Sequence, residues 1–503
     1  MRRNRQQKKN TNSFFPIKLE ELEQIMLQKF ENNDDLLFRT YNQDSGKKAA
    51  VFFISYQVDL NIIGQFILDP LLSSKEEWSN DSILDDIPEN TGHTVDKLED
   101  ILKGLLVGEL FIYVEGEEEA LGYLALKKQQ RQLDKAENET VVIGPQVAFT
   151  ESLVTNLNVV RWSIRSTDLV LEQLMIGHRY PREIRICYIK SIANEQLVNT
   201  MRQRLQDLDV DEIEDSTVLQ QYLNDSSSTV FPQFYSTELP DRFSYAIRQG
   251  RIGVLTENSP TGFIAPSTFL SFFESTEDLY MRWNIGTFLL ILRFFAIFLS
   301  VTMTPLYVAA VTYHYEIIPV DELITIGQSR AAVPFPPIWE AIILEFLIEL
   351  LREAGARLPT KVGQTIGIVG GVIIGQAVVQ AGLTSNILIV VVALSALSSF
   401  TTPSYLMGTA VRIVRFPMIV LAGLFGLIGI IFGASFLVIH LLKLKSLGMP
   451  YLTPIYPFRW ADLNKSLTRA PLQYENKRFF SIRPKNLLRY KRKESKRKHD
   501  IED

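Results

Sequence analysis

The distribution of apolar residues divides the chain into two unlike parts. Residues 1–280 mix short apolar runs with polar and acidic stretches, whereas residues 284–442 are dominated by long apolar runs. Apolar runs of about 20 residues are typical of helices that cross the roughly 30 Å hydrocarbon core of a bilayer. We therefore predict a soluble N-terminal region followed by an all-α polytopic membrane domain.

In the N-terminal part, β-rich runs alternate with amphipathic helical patterns, which points to α/β or α+β layering, and we predict an α/β region. A linker rich in polar residues, KKQQRQLDKAENET, separates two such groups. The predicted units are a basic extension with an amphipathic helix at 1–34, a first cytoplasmic α/β subdomain at 35–140, and a second at 141–275.

The apolar half, 284–442, predicts four membrane spans and one amphipathic helix with an acidic face. The helix at 338–354 is expected to lie at the outer interface or to dip partway into the bilayer. A polybasic tail within 443–503 belongs in the cytoplasm by the positive-inside rule, so both termini are expected there and the number of spans is even. The four expected spans are about 286–312, 363–381, 386–402 and 417–442.

The central segment of this domain, 363–381, has small residues at every fourth position. Such small-xxx-small repeats let membrane helices approach closely. The repeated positions are Gly363, Gly367, Gly371 and Gly375.

A second stripe of residues follows the glycines along the same helix. It consists of Thr365, Val369, Val372, Gln376 and Gln380, which share one face at 3.6 residues per turn. Polar groups there need partners because unpaired amides are costly in hydrocarbon. One interpretation is a pore wall in which Val372 forms an apolar constriction that gates by dewetting. The other is interhelical hydrogen bonding and close packing without conduction, and the residues alone favour this second interpretation.

The acidic helix carries Glu345, Glu349 and Glu353 at four-residue spacing. Copies of this helix around an axis would form acidic rings suited to a cation vestibule. The alternative is an interfacial helix whose polar face is in contact with water.

Composition narrows the function classes. Lys+Arg number 52 and Asp+Glu 57, and the single cysteine, Cys187, lies in a strand-like pattern that favours a core position. The N-terminal segment has basic residues without a following apolar run, so we expect no cleaved secretory signal. We find no nucleotide-binding, hydrolase or metal motif, so we predict neither an enzyme nor a cofactor or metal site. A basic tail directly after a membrane span favours anionic lipid over nucleic acid as its partner.

Several long motifs resemble one known family. The segments PFPPIWEAIILEFLIELLREAGARLPTKVGQTIGIVGGVIIGQAVVQAG, SSFTTPSYLMGTAVRIVRF, GMPYLTPIYPF and GPQVAFTESLVTNLNVVR are similar to the A subunit of the GerA-type nutrient germinant receptors of endospore-forming bacteria. The resemblance extends from about residue 35 to about residue 472.

The resemblance implies a protein of the inner spore membrane that assembles with two partners. These are a transporter-like B subunit that binds the nutrient and a C subunit that is a lipoprotein. It also implies a homo-oligomeric ring that passes monovalent cations and starts germination. The position that matches the family's apolar constriction is Val372.

Two other function classes remain at this stage. A scaffold would relay ligand occupancy through the cytoplasmic region without conducting ions. A secondary transporter is disfavoured because the two halves of the membrane domain show no internal repeat.

Overall fold

The computed structural model describes residues 18–490 apart from 75, 88–91, 127–134, 137–138, 140, 359–369 and 374. The described chain forms two β-sheets with flanking helices, a long helical bundle, and a C-terminal segment that returns to the second sheet.

The first sheet has five strands in the order β1-β2-β4-β5-β3, and neighbouring strands are antiparallel. Period-two alternation in β2 directs Ala50 and Phe52 to one face and Val51 and Phe53 to the other, and both faces are buried. The strands are β1 (Leu36–Asn42), β2 (Lys48–Ile54), β3 (His93–Val95), β4 (Glu109–Val114) and β5 (Ala120–Leu124).

Four helices cover this sheet. The amphipathic helix expected near the N-terminus is α1, and its Leu22 and Met26 are fully buried. The helices are α1 (Leu19–Lys29), α2 (Leu60–Ser73, with a π-helical turn), α3 (Asn80–Asp86) and α4 (Leu98–Leu105).

The second sheet repeats the strand order of the first. Its order is β6-β7-β9-β10-β8, which is again first, second, fourth, fifth and third along the chain, and its pairings are antiparallel. The N-terminal region therefore has α/β composition without the parallel strands of a βαβ fold. The strands are β6 (Leu169–Ile176), β7 (Arg182–Ile189), β8 (Tyr235–Thr237), β9 (Ile252–Thr256) and β10 (Gly262–Ala265).

Helices cover both faces of the second sheet. Phe243 of α8 packs with Leu157 of α5 on one face, and Met201 of α6 packs with Leu219 of α7 on the other. Cys187 is buried in β7, where desolvation raises the pKa of its thiol to about 12, so the thiolate that nucleophilic chemistry needs is scarce. The helices are α5 (Leu153–Ser163), α6 (Glu195–Gln206), α7 (Ser216–Leu223) and α8 (Pro240–Arg248).

A buried arginine joins the two sheets. Arg161 of α5 is completely buried, pairs with the buried Asp35 at 2.5 Å, and donates to the hydroxyl of Tyr56 at 3.1 Å. It also donates to the Leu169 carbonyl at the start of β6. Because Asp35 and Tyr56 belong to the first unit and Leu169 to the second, one guanidinium fixes how the two units meet.

Between residues 283 and 443 the described chain consists mainly of helices joined by short connections. Trp283–Tyr313 and Tyr405–Lys443 are long and apolar enough to cross a membrane. The helices are α9 (Trp283–Tyr313), α10 (Val320–Arg330), α11 (Pro337–Arg357), α12 (Gly370–Gln380), α13 (Asn386–Ser399) and α14 (Tyr405–Lys443).

Helix α14 folds back on itself at Gly426, inside the segment 417–442 that the sequence predicts as a single span. Gly426 has φ 61° and ψ −141°, a conformation that is essentially restricted to glycine. A Cβ placed on Gly433 would lie 2.4 Å from Sδ of Met418, whereas a straight helix would separate these residues by about 22 Å. The segment is a helical hairpin with arms at 405–425 and 427–443, and the glycines of the second arm pack against the first.

Helix α11 runs through the depth of the bundle, antiparallel to α9. Ile338 near its start lies against Gly423, which accepts a hydrogen bond from Tyr313 at the end of α9. Seven residues later, Glu345 accepts a hydrogen bond from Thr304, about two and a half helical turns earlier in α9. The helix therefore packs inside the bundle alongside α9, and its predicted position at the outer interface or partway into the bilayer stays a prediction.

The C-terminal segment, in which the sequence predicts a polybasic tail at 443–503, is folded as far as residue 490. Tyr451 is fully buried and donates to the Pro232 carbonyl at 2.7 Å, and Ser446 donates to the Gln233 carbonyl at 2.6 Å. Apolar residues among the basic ones supply the contacts with the second unit. This segment contains β11 (Lys445–Ser446), β12 (Met449–Pro450) and α15 (Trp460–Leu467).

Replacing Arg161 with methionine should destabilise the N-terminal region by about 3–5 kcal/mol, because Asp35 would remain buried without its cation. Urea unfolding of this region, followed by tryptophan fluorescence, measures the loss. The double variant Asp35→Leu/Arg161→Met should recover much of it, and Arg165→Met, two residues past the end of the same helix and exposed, should have little effect. Equal losses for Arg161→Met and Arg165→Met would contradict the role of this pair.

The hairpin predicts that cysteines at positions 418 and 433 form an oxidative cross-link in a Cys187→Ala background. Mass spectrometry of proteolytic fragments detects the product. The control pair Met418→Cys/Phe436→Cys should remain unlinked, because Phe436 is 73% exposed and faces away from the first arm. Absence of the 418–433 link would show that residues 405–443 form one straight helix.

Candidate functional site

The segment with the small-residue stripe is described only in part. Gly363, Thr365, Gly367 and Val369 lie outside the described residues. Residues 370–373 and 375–380 are helical and belong to α12.

The two faces of α12 have different surroundings. Val378 is buried among Val308 of α9, Ala341 of α11 and Leu388 of α13. Gly370 also meets the bundle, since a Cβ there would lie 3.1 Å from Leu351. These contacts attach one side of α12 to the rest of the chain.

The opposite side of α12 carries the described members of the polar stripe. Val372 is 55% exposed, and Gln376 and Gln380 are exposed as well. A Cβ on Gly371 or Gly375 would have no neighbouring atom within 4 Å. Within the described chain, close packing inside one protomer therefore accounts for neither these two glycines nor the two glutamines.

The acidic helix contributes a charge network inside the bundle. Glu345 is 4% exposed and pairs with Arg415 of α14 at 2.6 Å, while the hydroxyl of Thr304 donates to it at 2.9 Å. Arg415 also donates to Ser300 of α9 at 2.6 Å. One ion pair with two hydroxyl partners thus joins α9, α11 and α14.

The other two glutamates of the predicted vestibule lie nearer the end of α11. Glu349 pairs with Arg352 and lies 3.6 Å from Arg412, and it is only partly buried. Glu353 pairs with Arg357 at 2.6 Å, and both side chains are largely exposed. The structure therefore separates the three residues: Glu345 is neutralised inside the protomer and does not face an open vestibule, whereas Glu349 and Glu353 remain near the surface.

Sequence reasoning missed a further buried carboxylate on α11. Glu340 is 1% exposed, lies 3.1 Å from Arg330 of α10, and accepts from the backbone nitrogen of Ser385 at 3.1 Å. The charge pattern of the sequence could have predicted this pair, because a carboxylate and an arginine in neighbouring apolar segments require partners.

The membrane-proximal arginine Arg293 is paired as well. Its partner is Asp278 at 2.7 Å, in the turn before α9. No group of three or more histidine, cysteine or carboxylate side chains that could hold a metal ion occurs among the described residues.

The family of the chain follows from comparison with known sequences. Residues 24–480 match the family described as Bacillus/Clostridium GerA spore germination protein. The chain belongs to the GerA family. The match covers both sheets, the helical bundle and most of the C-terminal segment.

Two curated GerA-family relatives align over most of this chain. Spore germination protein GerQA of Bacillus cereus is 41% identical over 89% of this chain and 89% of its own length. Spore germination protein GerIA of Bacillus cereus is 39% identical over 92% of this chain and 70% of its own length.

A solved structure is also similar to part of this GerA-family chain. It is the N-terminal domain of the A subunit of the Bacillus megaterium spore germinant receptor GerK3, at 26% identity and a TM-score of 0.41. The match covers 52% of this chain and 98% of that domain.

The charge network predicts unequal effects along the acidic helix. Glu345→Ala should destabilise the bundle by about 3–5 kcal/mol, because Arg415 would be left buried without its counter-charge. Glu353→Ala should cost less than about 1 kcal/mol because its ion pair is exposed. Thermal melting of the detergent-purified protein compares the two. Similar melting temperatures for the two variants would refute this assignment.

Proposed function

We propose that this GerA-family chain is the A subunit of a spore germinant receptor and that several copies surround a cation pathway lined by α12. The observation that carries the proposal is the free face of this helix. This face carries Val372, Gln376 and Gln380, whereas the opposite face packs against other helices of the same chain.

A membrane location is supported by the apolar surface of the bundle. Large side chains on α9 and α14 are exposed although the two helices pack against each other, and a patch of this size is costly in water. The exposed residues include Phe288, Ile291, Phe295, Phe298, Ile428, Ile431, Phe432 and Phe436. Lipid is the medium in which such a surface is stable.

A topology with six membrane crossings fits the positions of the helices better than the four membrane spans expected from the sequence. Helix α9 leads away from the second sheet, α11 returns, and α12 leads away again. Helix α13 returns, since Ser385 lies near Tyr307 and Ser395 near Ser300. The arms of the α14 hairpin supply the last two crossings. Both ends of the bundle then lie on the side of the N-terminal region, which the positive-inside rule assigns to the cytoplasm.

In an assembled ring the free faces of α12 would meet around an axis. Gln376 and Gln380 would find water or each other there, which removes the cost of unpaired amides in hydrocarbon. Val372 would form the apolar constriction that excludes water in the closed state. Glu349 and Glu353, each paired with an arginine, would lie near one mouth of the pathway.

Opening requires a difference in ligand affinity between the closed and open rings. We assign nutrient binding to the transporter-like B subunit and include the lipoprotein C subunit in the receptor. Binding in the partner would shift the equilibrium towards a ring in which the α12 helices are rotated or spread and Val372 leaves the axis.

A second candidate is a scaffold that relays the signal without conducting ions. The ties between bundle and N-terminal region favour it, since Arg293 pairs with Asp278 and Arg469 lies 3.5 Å from Glu274. Electrical recording from the purified receptor in planar bilayers distinguishes the two functions, because only a channel gives unitary cation currents.

Replacing Val372 with a smaller residue should widen the constriction and let cations pass through the closed ring. Val372→Ala removes two methyl groups from each copy and should raise nutrient-independent cation release from spores about tenfold, with germination in the absence of nutrient. Potassium release measured by flame photometry gives the rate. The matched control Val390→Ala changes a valine of α13 that is 67% exposed and should behave like the unmodified protein. A Val372→Ala receptor that assembles normally and remains tight would exclude Val372 as the gate.

A further inference from the structure

A small cavity with two arginines lies in the second unit, beneath the start of the bundle. Its volume is about 40 Å³, enough for a few water molecules or one small anion. We call it the arginine cavity. It is lined by Tyr235, Arg242, Tyr245, Ala246, Gln249, Arg251, Ile264, Ser271, Glu274 and Phe479.

The sequence builds one wall of the arginine cavity from a single helix face. Arg242, Tyr245 and Ala246 of α8 follow the three- and four-residue spacing of neighbouring helical positions, and Gln249 continues it just past the helix end. Gly250, with φ 96°, then turns the chain so that Arg251 lines the cavity as well. The opposite wall is apolar and comes from Phe479 of the C-terminal segment.

The arginine cavity has an excess of positive charge. Arg242 donates to the carbonyls of Ser271 and Glu274 and stacks on the Tyr235 ring at 3.8 Å, but these partners are uncharged groups. Among the described residues, no carboxylate lies within 4.0 Å of the guanidinium of Arg251. Glu274 is the acidic residue in the cavity lining, and its carboxylate pairs with Arg469 at 3.5 Å.

A buried amide in the same lining also lacks a partner. Gln249 is 4% exposed, and its side chain makes no hydrogen bond to any described residue. Buried polar groups are nearly always hydrogen-bonded to protein, water or an ion, so an amide in the cavity lining beside two guanidinium groups is available to bind a ligand there. Burial lowers the pKa of Arg251, and the nearby Glu274 carboxylate offsets only part of this effect.

We propose that the arginine cavity binds a small soluble oxyanion of the phosphate type, held by Arg242 and Arg251 with Gln249 as a further donor. The planar guanidinium fork matches phosphate oxygens, and charge-assisted hydrogen bonds of this kind are stronger than neutral ones. The size of the cavity favours a free anion over the headgroup of a lipid. Because the lining includes Phe479, the bound anion would lie between the second unit and the C-terminal segment.

The test is a phosphate titration of the full-length protein purified in detergent. Sodium phosphate should raise the melting temperature in a saturable manner, whereas sodium chloride at equal ionic strength should not. Arg251→Gln should weaken the apparent affinity at least about tenfold. Arg248→Gln removes the same charge from an exposed position just before the cavity and should change the affinity less than twofold.

A third variant distinguishes a loss of phosphate binding from a loss of folding. Arg251→Lys keeps the charge but loses the fork, so a folded protein with an affinity between those of the unmodified protein and Arg251→Gln supports the site. The proposal is overturned if phosphate gives no saturable shift, or if Arg251→Gln and Arg248→Gln bind equally. It is also overturned if nanodiscs with phosphatidylglycerol stabilise the protein while inorganic phosphate does not.

Discussion

Polar groups inside an apolar bundle need partners. This requirement determines how the helices of this structure are arranged. Glu345 and Arg415 satisfy that need inside one protomer, and Ser300 and Thr304 complete their shell. Removing a charged group from water is costly, so such a pair forms only when the helices that carry it are held in one register. The register of α9, α11 and α14 in turn determines which face of α12 is covered by the chain. The glutamines of α12 have no comparable partners within the described protomer, and this contrast is the physical basis for assigning that face to an assembly.

The N-terminal region contributes a second rigid element. Two units with the same strand order meet at the buried Arg161, and the C-terminal segment closes over the second unit through Tyr451 and Ser446. The bundle begins and ends on this second unit. A movement of its first helix, α9, or of its last helix, α14, must therefore displace the second sheet or deform the contacts between the bundle and the second unit. The same contacts that would transmit a signal also surround the arginine cavity, since Glu274 takes part in both.

The sequence predicted local features well and long-range partners poorly. The alternating pattern around Cys187 identified a strand, and helical spacing identified α1, because these patterns depend on near neighbours. The antiparallel pairing was not accessible, since it depends on which distant strands meet. The reversal at Gly426 was missed because a run of apolar residues reads the same whether it is straight or folded, and only the backbone angles of one glycine distinguish the cases. The glutamates of α11 looked equivalent by spacing, yet Arg415, 70 residues beyond Glu345, makes one of them internal.

The tight turn at Gly426 also limits how other proteins can approach. The two arms of α14 are joined almost without a loop, so on the proposed topology this hairpin presents hardly any chain to the extracytoplasmic side. Most of what emerges there belongs to the stretch between Tyr313 and Pro337, which includes α10. On that topology, a protein that approaches from this side would contact mainly α10 and its flanking turns.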